Sequence, residues 1–164
     1  MEEKMVFKPR PSIGWVSLTV LALVLLAVGV SALSGGSTTL VIGVFFSFLG
    51  LYFVLLVIWW PTMRYELDQE TLTLLYGKAI KYRIPLETIR SIKRVDLGLS
   101  LWSSVRMPGV ALFSVPYSDV GQVRMCSTAA LNGILLIETE KGLYGLTPEA
   151  EDQFAATIQT RIRR

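Results

Sequence analysis

Ionisable side chains are missing from a long stretch of this sequence. Between Pro11 and Pro61 there is no Asp, Glu, Lys or Arg, so every charged residue lies in the first ten residues or after residue 63. Charged residues make up 18% of the whole chain, against about 25% in an average soluble domain. This uneven distribution predicts an apolar membrane-associated first part and a polar second part.

Histidine is also absent, and Cys126 is the only cysteine. These absences remove the commonest metal ligand and general base, and they exclude an internal disulfide or a paired-cysteine metal site. Cys126 is expected to be a small buried hydrophobe, because a nucleophilic cysteine would have no histidine partner here.

Common catalytic motifs are missing too, since the sequence contains no P-loop, GxSxG or HExxH. We therefore predict no enzymatic activity, no catalytic residues, no metal and no cofactor. The net charge of +3 is too small for the basic face of a nucleic-acid-binding protein, so no nucleic-acid partner is expected.

Two apolar runs occupy the charge-free stretch, over residues 15–33 and 40–60. At about 1.5 Å per residue, each is long enough to cross the roughly 30 Å hydrocarbon core of a bilayer as a helix. The link between them, SGGSTT, is short and polar. We predict a transmembrane helical hairpin over residues 15–60. The alternative, two buried helices of a soluble core, would normally show a polar stripe.

Basic residues flank the two runs but are absent from the link. The positive-inside rule therefore predicts a multi-pass protein of the cell membrane with both termini in the cytoplasm. The basic residues concerned are Lys4, Lys8 and Arg10 before the first run and Arg64 after the second.

Aromatic and small residues support the hairpin. Indole rings favour the headgroup layer, and Pro61 prevents the second helix from continuing. Gly43 and Ser47 form a small-xxx-small pair that would let the two helices approach closely, although such a pair is also ordinary membrane-helix composition. The predicted membrane-interface anchors are Trp15, Trp59 and Trp60.

A cleaved signal peptide is the competing interpretation of the first run. Val30-Ser31-Ala32 resembles a small-residue cleavage site. However, the apolar stretch is longer than a usual signal core of about 7–15 residues, and two acids stand at the start of the chain.

Polar and apolar residues alternate from Arg64 onwards, which is typical of half-buried strands. We predict an α+β protein, in which a cytoplasmic domain over residues 61–164 follows the hairpin and a cytoplasmic segment over residues 1–14 precedes it. The domain should contain about seven antiparallel strands in a bent sheet or partly open barrel. The segments with strand patterns are 64–67, 72–76, 79–84, 89–95, 111–115, 122–127, 134–138 and 143–146.

Residues 97–109 are predicted to form a long loop. Its apolar residues would either enter the membrane interface or cover the open end of the sheet. These residues are Leu97, Leu99, Leu101 and Trp102.

The last predicted element is an amphipathic helix with Thr147 as its N-cap and Pro148 at its first position. The apolar face of this helix would include Phe154 and Ile158 and would cap the sheet.

Several stretches of the second part resemble the bacterial pleckstrin-homology (PH) domain family. They are YRIPLETIRSI, the RMPG turn after the long loop, SDVGQVRMCST and ILLIETEKGLYGLTPEAEDQF. The resemblance covers roughly residues 63–160 and implies about seven strands with a C-terminal helix. Members of this family often carry one or two membrane helices before the domain. Because the family's biochemical role is largely undefined, the resemblance implies a fold more than a function.

Cations cluster between residues 78 and 94, where Glu87 is the only acid. Some of them resemble the spaced basic triplet of lipid-binding PH domains, although that triplet normally lies on the first hairpin. Each cation close to an anionic leaflet gains about 1 kcal/mol. A solvated sheet face is the alternative interpretation. The candidate residues for binding a lipid headgroup or a partner are Lys78, Lys81, Arg83, Arg90, Lys93 and Arg94.

Two functional hypotheses follow. The first is a non-catalytic scaffold or accessory subunit that docks a protein partner, or a second copy of itself, at the cytoplasmic membrane face. The second is a module that binds anionic lipid headgroups through the Lys78–Arg94 face. Glu138 and Glu140 share a strand face but resemble a solvated edge more than an acid–base pair. A transporter is disfavoured because neither run holds an ionisable residue.

Overall fold

The computed structural model describes residues 4–35, 37–98 and 105–162. We number its helices α1 to α3 and its strands β1 to β10 in chain order. The helices are α1 (Gly14–Leu33), α2 (Ser37–Trp59) and α3 (Glu151–Ile162). The strands are β1 (Met5–Phe7), β2 (Arg64–Leu67), β3 (Thr71–Tyr76), β4 (Ile80–Pro85), β5 (Ile89–Val95), β6 (Val105–Met107), β7 (Val110–Tyr117), β8 (Gly121–Ser127), β9 (Ile134–Thr139) and β10 (Gly142–Leu146).

The two apolar runs form α1 and α2, which pack together in antiparallel register. Both are long and apolar enough to cross a membrane, and only 17% of each apolar window is buried, unlike the core helices of a soluble protein. The helices approach closely at small residues. A Cβ added to Gly43 would lie 2.9 Å from the backbone nitrogen of Leu33, and one added to Gly29 would lie 2.6 Å from that of Ser47. The predicted close approach at Gly43 and Ser47 is therefore confirmed.

The strands form two separate open sheets. The first has the order β1-β2-β3-β4, and the second has the order β5-β9-β10-β8-β7-β6. The prediction of about seven strands in one bent sheet or partly open barrel was wrong, because the described residues contain ten strands in two sheets. The strands missed are β1 and β6. Each has three residues, too few to show a period-two pattern.

Among the described strands one pair is parallel, which corrects the prediction of an all-antiparallel sheet. The β9–β10 hairpin folds back so that β10 lies between β9 and β8. As a result, β10 runs antiparallel to β9 but parallel to β8, with Leu143 opposite Val123 and Leu146 opposite Cys126.

Helix α3 packs on the core through Phe154 and Ile158, both fully buried, as predicted. It begins at Glu151, however, and not at Pro148. Thr147 is not its N-cap, because the Thr147 hydroxyl accepts a hydrogen bond from the backbone N–H of Thr128 at 2.8 Å. That contact joins the end of β10 to the segment after β8.

The main apolar core runs from α3 between the sheets to the base of the hairpin. Leu18 of α1 and Leu56 of α2 are fully buried and belong to the same cluster as Tyr76 and Ile80.

Helix α3 and the hairpin contact different turns of the first sheet. Arg161 of α3 donates hydrogen bonds at the β2–β3 turn, whereas the hairpin packs at the β3–β4 turn. The helix and the hairpin therefore cover opposite ends of β3.

A second apolar cluster covers the other face of the second sheet. It includes Leu97, which is 5% exposed, together with Val115 of β7 and Val123 of β8. Leu97 therefore packs on a face of the second sheet, whereas the sequence prediction placed the loop either in the membrane interface or over the open end of the sheet. Leu99, Leu101 and Trp102 lie outside the described residues.

Candidate binding surfaces at the base of the helical hairpin

The end of α2 is joined to the β3–β4 turn. Gly77 in this turn has φ +52°, and a Cβ there would lie 2.6 Å from Cδ2 of Trp59, so the indole packs directly on the turn backbone. The Gly77 N–H donates to the Thr62 hydroxyl at 2.8 Å, and the Tyr76 hydroxyl donates to the carbonyl of Leu56 in α2. Burial raises the pKa of Tyr76, so this phenol stays protonated and keeps donating.

The start of α1 is joined to the β6–β7 turn. A Cβ on Gly14 would lie 2.7 Å from the carbonyl carbon of Gly109, so only a residue without a side chain fits between them. The Ser12 hydroxyl donates to the Gly109 carbonyl at 2.6 Å, and the Ser17 hydroxyl donates to the Pro108 carbonyl at 2.8 Å. The RMPG sequence is therefore a contact turn between the domain and α1.

The segment before α1 is part of the same structure. Its strand β1 pairs with β2, with Phe7 opposite Tyr65. The Arg10 N–H donates to the Thr147 carbonyl at 2.7 Å, and the Glu149 N–H donates to the Lys8 carbonyl at 2.9 Å. The chain that enters α1 and the domain that follows α2 therefore meet at the same end of the hairpin.

The three predicted anchor tryptophans occupy two different environments. Trp15 is 50% exposed, as an interface anchor should be. Trp59 and Trp60 are only half-buried, because Trp59 covers Gly77 and Trp60 approaches Gly14, where a Cβ would lie 2.6 Å from the indole. Trp59 therefore packs on the domain, and Trp60 packs on the start of α1. Their role as membrane anchors stays a prediction.

The six predicted cations are all exposed, but they lie on two sheets. Lys78 follows Gly77 in the β3–β4 turn, next to the end of α2. Two more lie on β4 of the first sheet and three on β5 of the second. The remaining five are Lys81 and Arg83 on β4 and Arg90, Lys93 and Arg94 on β5.

The outer face of the first sheet forms a shallow basic cavity of about 430 Å³ around one buried carboxylate. Glu66 is paired with Lys4 and with Arg64, each at 2.8 Å. Burial alone would raise the pKa of Glu66, but the hydrogen bonds and charges of these two cations outweigh it and hold the pKa below its usual range. Lys81 and Arg83 line the same cavity.

The β5 edge carries a looser set of charges. Arg90 lies 3.5 Å from Glu140, and Arg94 lies 3.8 Å from Glu151. Glu138 accepts a hydrogen bond from Ser91 at 2.9 Å. Glu138 and Glu140 therefore have separate partners at the strand edge, as the solvated-edge interpretation expects.

A groove at the hairpin base was missed by sequence reasoning. It has a volume of about 410 Å³ and lies between the segment before α1 and the end of α2. The only sequence signal was the alternation of basic residues and prolines in KPRP. Its polar and aromatic walls include Lys8, Arg10, Ser12, Trp60, Arg64 and Glu149.

The single thiol is not poised for chemistry. Cys126 is fully buried, and burial raises its pKa to about 12, so it is a neutral thiol at physiological pH. The prediction of a small buried hydrophobe is confirmed. Among residues 4–35, 37–98 and 105–162 there is no group of three or more side chains suited to hold a metal ion.

The fold and the junction define a class of protein: two apolar helices that carry a two-sheet domain closed by a C-terminal helix. A family model described as the bacterial PH domain matches residues 63–162. The chain therefore belongs to the bacterial PH domain family, as the resemblance predicted. No curated protein and no solved structure matches it significantly.

Proposed function

We propose that this protein is a non-catalytic membrane scaffold, which holds its PH-like domain in a fixed orientation at the cytoplasmic face and docks a protein partner there. The observation that carries the proposal is the junction at Gly77, Gly109 and β1. A flexible linker would suffice to tether a domain, whereas three separate contacts fix its orientation.

The same contacts support the proposed membrane topology. The segment before α1 and the domain after α2 pack together, so a membrane-crossing hairpin leaves both on one side. The basic residues Lys8, Arg10 and Arg64 at that end favour the cytoplasmic side. Cleavage after residue 32 would remove β1 from the first sheet, which argues against a signal peptide. A reporter fused after Arg164 should be active only in the cytoplasm, and activity on the outer side would contradict this topology.

The proposed partner surface is the edge strand β5. Its outer side has no neighbouring strand among the described residues, and Arg90, Lys93 and Arg94 are exposed along it. Helix α3 lies beside this strand, since Gln159 and Ile162 line a cavity together with Arg90, so the exposed cations and not the strand backbone would bind an acidic segment of a partner protein.

Site-specific photocrosslinking in native membranes tests this surface. A photoreactive residue at position 93 should capture the same partner repeatedly, whereas one at the exposed position 81, on the other sheet, should not. The charge reversal Lys93→Glu combined with Arg90→Glu should abolish capture from position 94. Equal capture from positions 81 and 93, or none from either, would refute the proposed surface.

The second candidate function is binding of anionic lipid headgroups through the six cations between residues 78 and 94. It is supported by Lys78, which follows the glycine packed on Trp59 at the hairpin end. It is weakened by the division of the other five between two sheets. Binding of a water-soluble short-chain phosphatidylglycerol by the full-length protein in detergent, with Lys78→Gln and Lys81→Gln, tests it, and unchanged binding would exclude it.

A further inference from the structure

The groove at the hairpin base opens where lipid headgroups would lie. One wall is Trp60 and Pro61, directly after the last residue of α2, and the opposite wall is the segment that leads into α1. If the hairpin crosses the membrane, both walls lie at the level of the headgroup layer. The groove is therefore accessible to lipid from the adjacent leaflet without any movement of the domain.

The charge of this groove is positive. Among the residues that the structure describes, three cations and one carboxylate line it. Arg10 is also paired with Glu151 at 3.0 Å, and Arg64 with Glu66 at 2.8 Å, and these two ion pairs hold both guanidinium groups in place. Lys8 is exposed and makes no ion pair with any of the described residues. Its ammonium group is thus available to an anion. The three cations are Lys8, Arg10 and Arg64, and the carboxylate is Glu149.

The walls also suit the glycerol backbone and first acyl carbons of a lipid. Val6, Pro9, Trp60 and Met63 line the groove together with its charged residues and give it apolar surface. A soluble anion such as free phosphate would gain only from the charges, whereas a phospholipid would also bury apolar surface.

We infer that this groove binds one anionic phospholipid of the adjacent leaflet, with Lys8 and Arg64 contacting the phosphate. The site is distinct from the six cations between residues 78 and 94 and does not depend on the partner surface at β5. Bound lipid would bridge the segment before α1 and the end of α2, so it would stabilise the junction between hairpin and domain.

Native mass spectrometry of the full-length protein in mild detergent tests the inference. The protein is titrated with phosphatidylglycerol and, separately, with phosphatidylcholine of the same acyl chains. We expect the first phosphatidylglycerol to bind at least about tenfold more tightly than phosphatidylcholine, since each cation near an anionic headgroup contributes a factor of about five. Inorganic phosphate at the same concentration should not displace it.

Two charge-matched variants locate the site. Lys8→Gln with Arg64→Gln should weaken phosphatidylglycerol binding about tenfold to thirtyfold and phosphatidylcholine binding much less, because the choline cation offsets the charge of its phosphate. Arg124→Gln with Lys141→Gln removes the same charge at two exposed positions that belong to neither proposed surface, and should have no effect. The charge-conserving Lys8→Arg with Arg64→Lys should bind like the native protein.

The single variant Lys8→Gln covers the case in which loss of the Arg64–Glu66 ion pair disturbs the fold. It should weaken binding about fivefold, with Cys126 still protected from thiol reagents. The inference is overturned if folded Lys8→Gln protein binds phosphatidylglycerol as tightly as the native protein. It is equally overturned if the variant Arg124→Gln with Lys141→Gln loses as much affinity, if phosphatidylcholine binds as tightly, or if phosphate displaces the lipid.

Discussion

Replacing Gly77 with alanine should loosen the domain from α2, because the new methyl group has no room. Its Cβ would lie 2.6 Å from Cδ2 and 2.7 Å from Cβ of Trp59, whereas carbon atoms in contact are normally about 3.5–4.0 Å apart. The atoms in the way are near the root of the indole side chain, so a rotamer change of the ring alone cannot relieve the overlap.

The size of the effect follows from three contributions. A non-glycine residue at φ +52° costs about 1–2 kcal/mol. Overpacking against Trp59 costs about 1–3 kcal/mol. If Trp59 retreats, the hydrogen bond from the Gly77 N–H to Thr62 is also strained, which costs up to about 1 kcal/mol. We expect Gly77→Ala to lower the free energy of unfolding by about 2–6 kcal/mol.

Gly121→Ala is the matched control. Gly121 also has a positive φ, +78°, but a Cβ there would meet no atom within 4 Å. This variant should therefore show only the backbone strain of about 1–2 kcal/mol. The difference between the two variants isolates the contact with Trp59.

Thermal unfolding of the full-length protein in detergent can be followed with a fluorogenic maleimide, because Cys126 is the only cysteine and is fully buried. At about 4–8 °C per kcal/mol for a domain of this size, the midpoint for Gly77→Ala should lie at least about 4 °C below that for Gly121→Ala. In a Trp59→Ala background, the additional effect of Gly77→Ala should shrink to that of Gly121→Ala. Equal midpoints for the two single variants would refute the proposed packing of α2 on the turn.

Three further predictions concern the rest of the structure. Because Lys4 and Arg64 hold the pKa of Glu66 below 4.5, its stabilising effect is present above that pH and lost as the pH falls through the lowered pKa. Circular dichroism should show that Glu66→Gln protein is less stable at neutral pH and loses less stability on acidification; an unchanged pH profile would contradict this. Cys126 should resist alkylation at pH 8 in the folded protein and react fully in SDS, so rapid native labelling would contradict its burial. Excised residues 62–164 should melt lower than the full chain or aggregate, because removing the hairpin exposes the apolar base of the core; an equal melting temperature would show that the hairpin does not seal it.

Much of the fold could be read from local patterns. The apolar runs that form α1 and α2, and most strands of the domain, follow from hydrophobic periodicity alone, because burial on one face or in lipid imposes it residue by residue. The short strands β1 and β6 could not be predicted, because three residues carry too little pattern. The parallel pairing of β10 with β8 depends on where the β9–β10 hairpin inserts, which no local signal specifies.

The candidate surfaces show the same division. The cations between residues 78 and 94 are close in sequence, but Pro85 and the short 3-10 helix Leu86–Thr88 redirect the chain from the first sheet to the second. Lys81 and Lys93 therefore lie on different sheets. In contrast, Lys8 and Arg64 are far apart in sequence and separated by both apolar helices, yet they line one groove.

The sequence by itself determined that this protein has two membrane-length apolar helices followed by a strand-rich domain, because composition and periodicity are properties of consecutive residues. Only the tertiary structure decided how the domain is attached to the helices. Its junction joins Gly14 to Gly109, Trp59 to Gly77 and β1 to β2, and such contacts depend on backbone approach between distant segments. Such close approach requires glycine at specific positions, and the sequence alone does not show which residue packs against a given glycine.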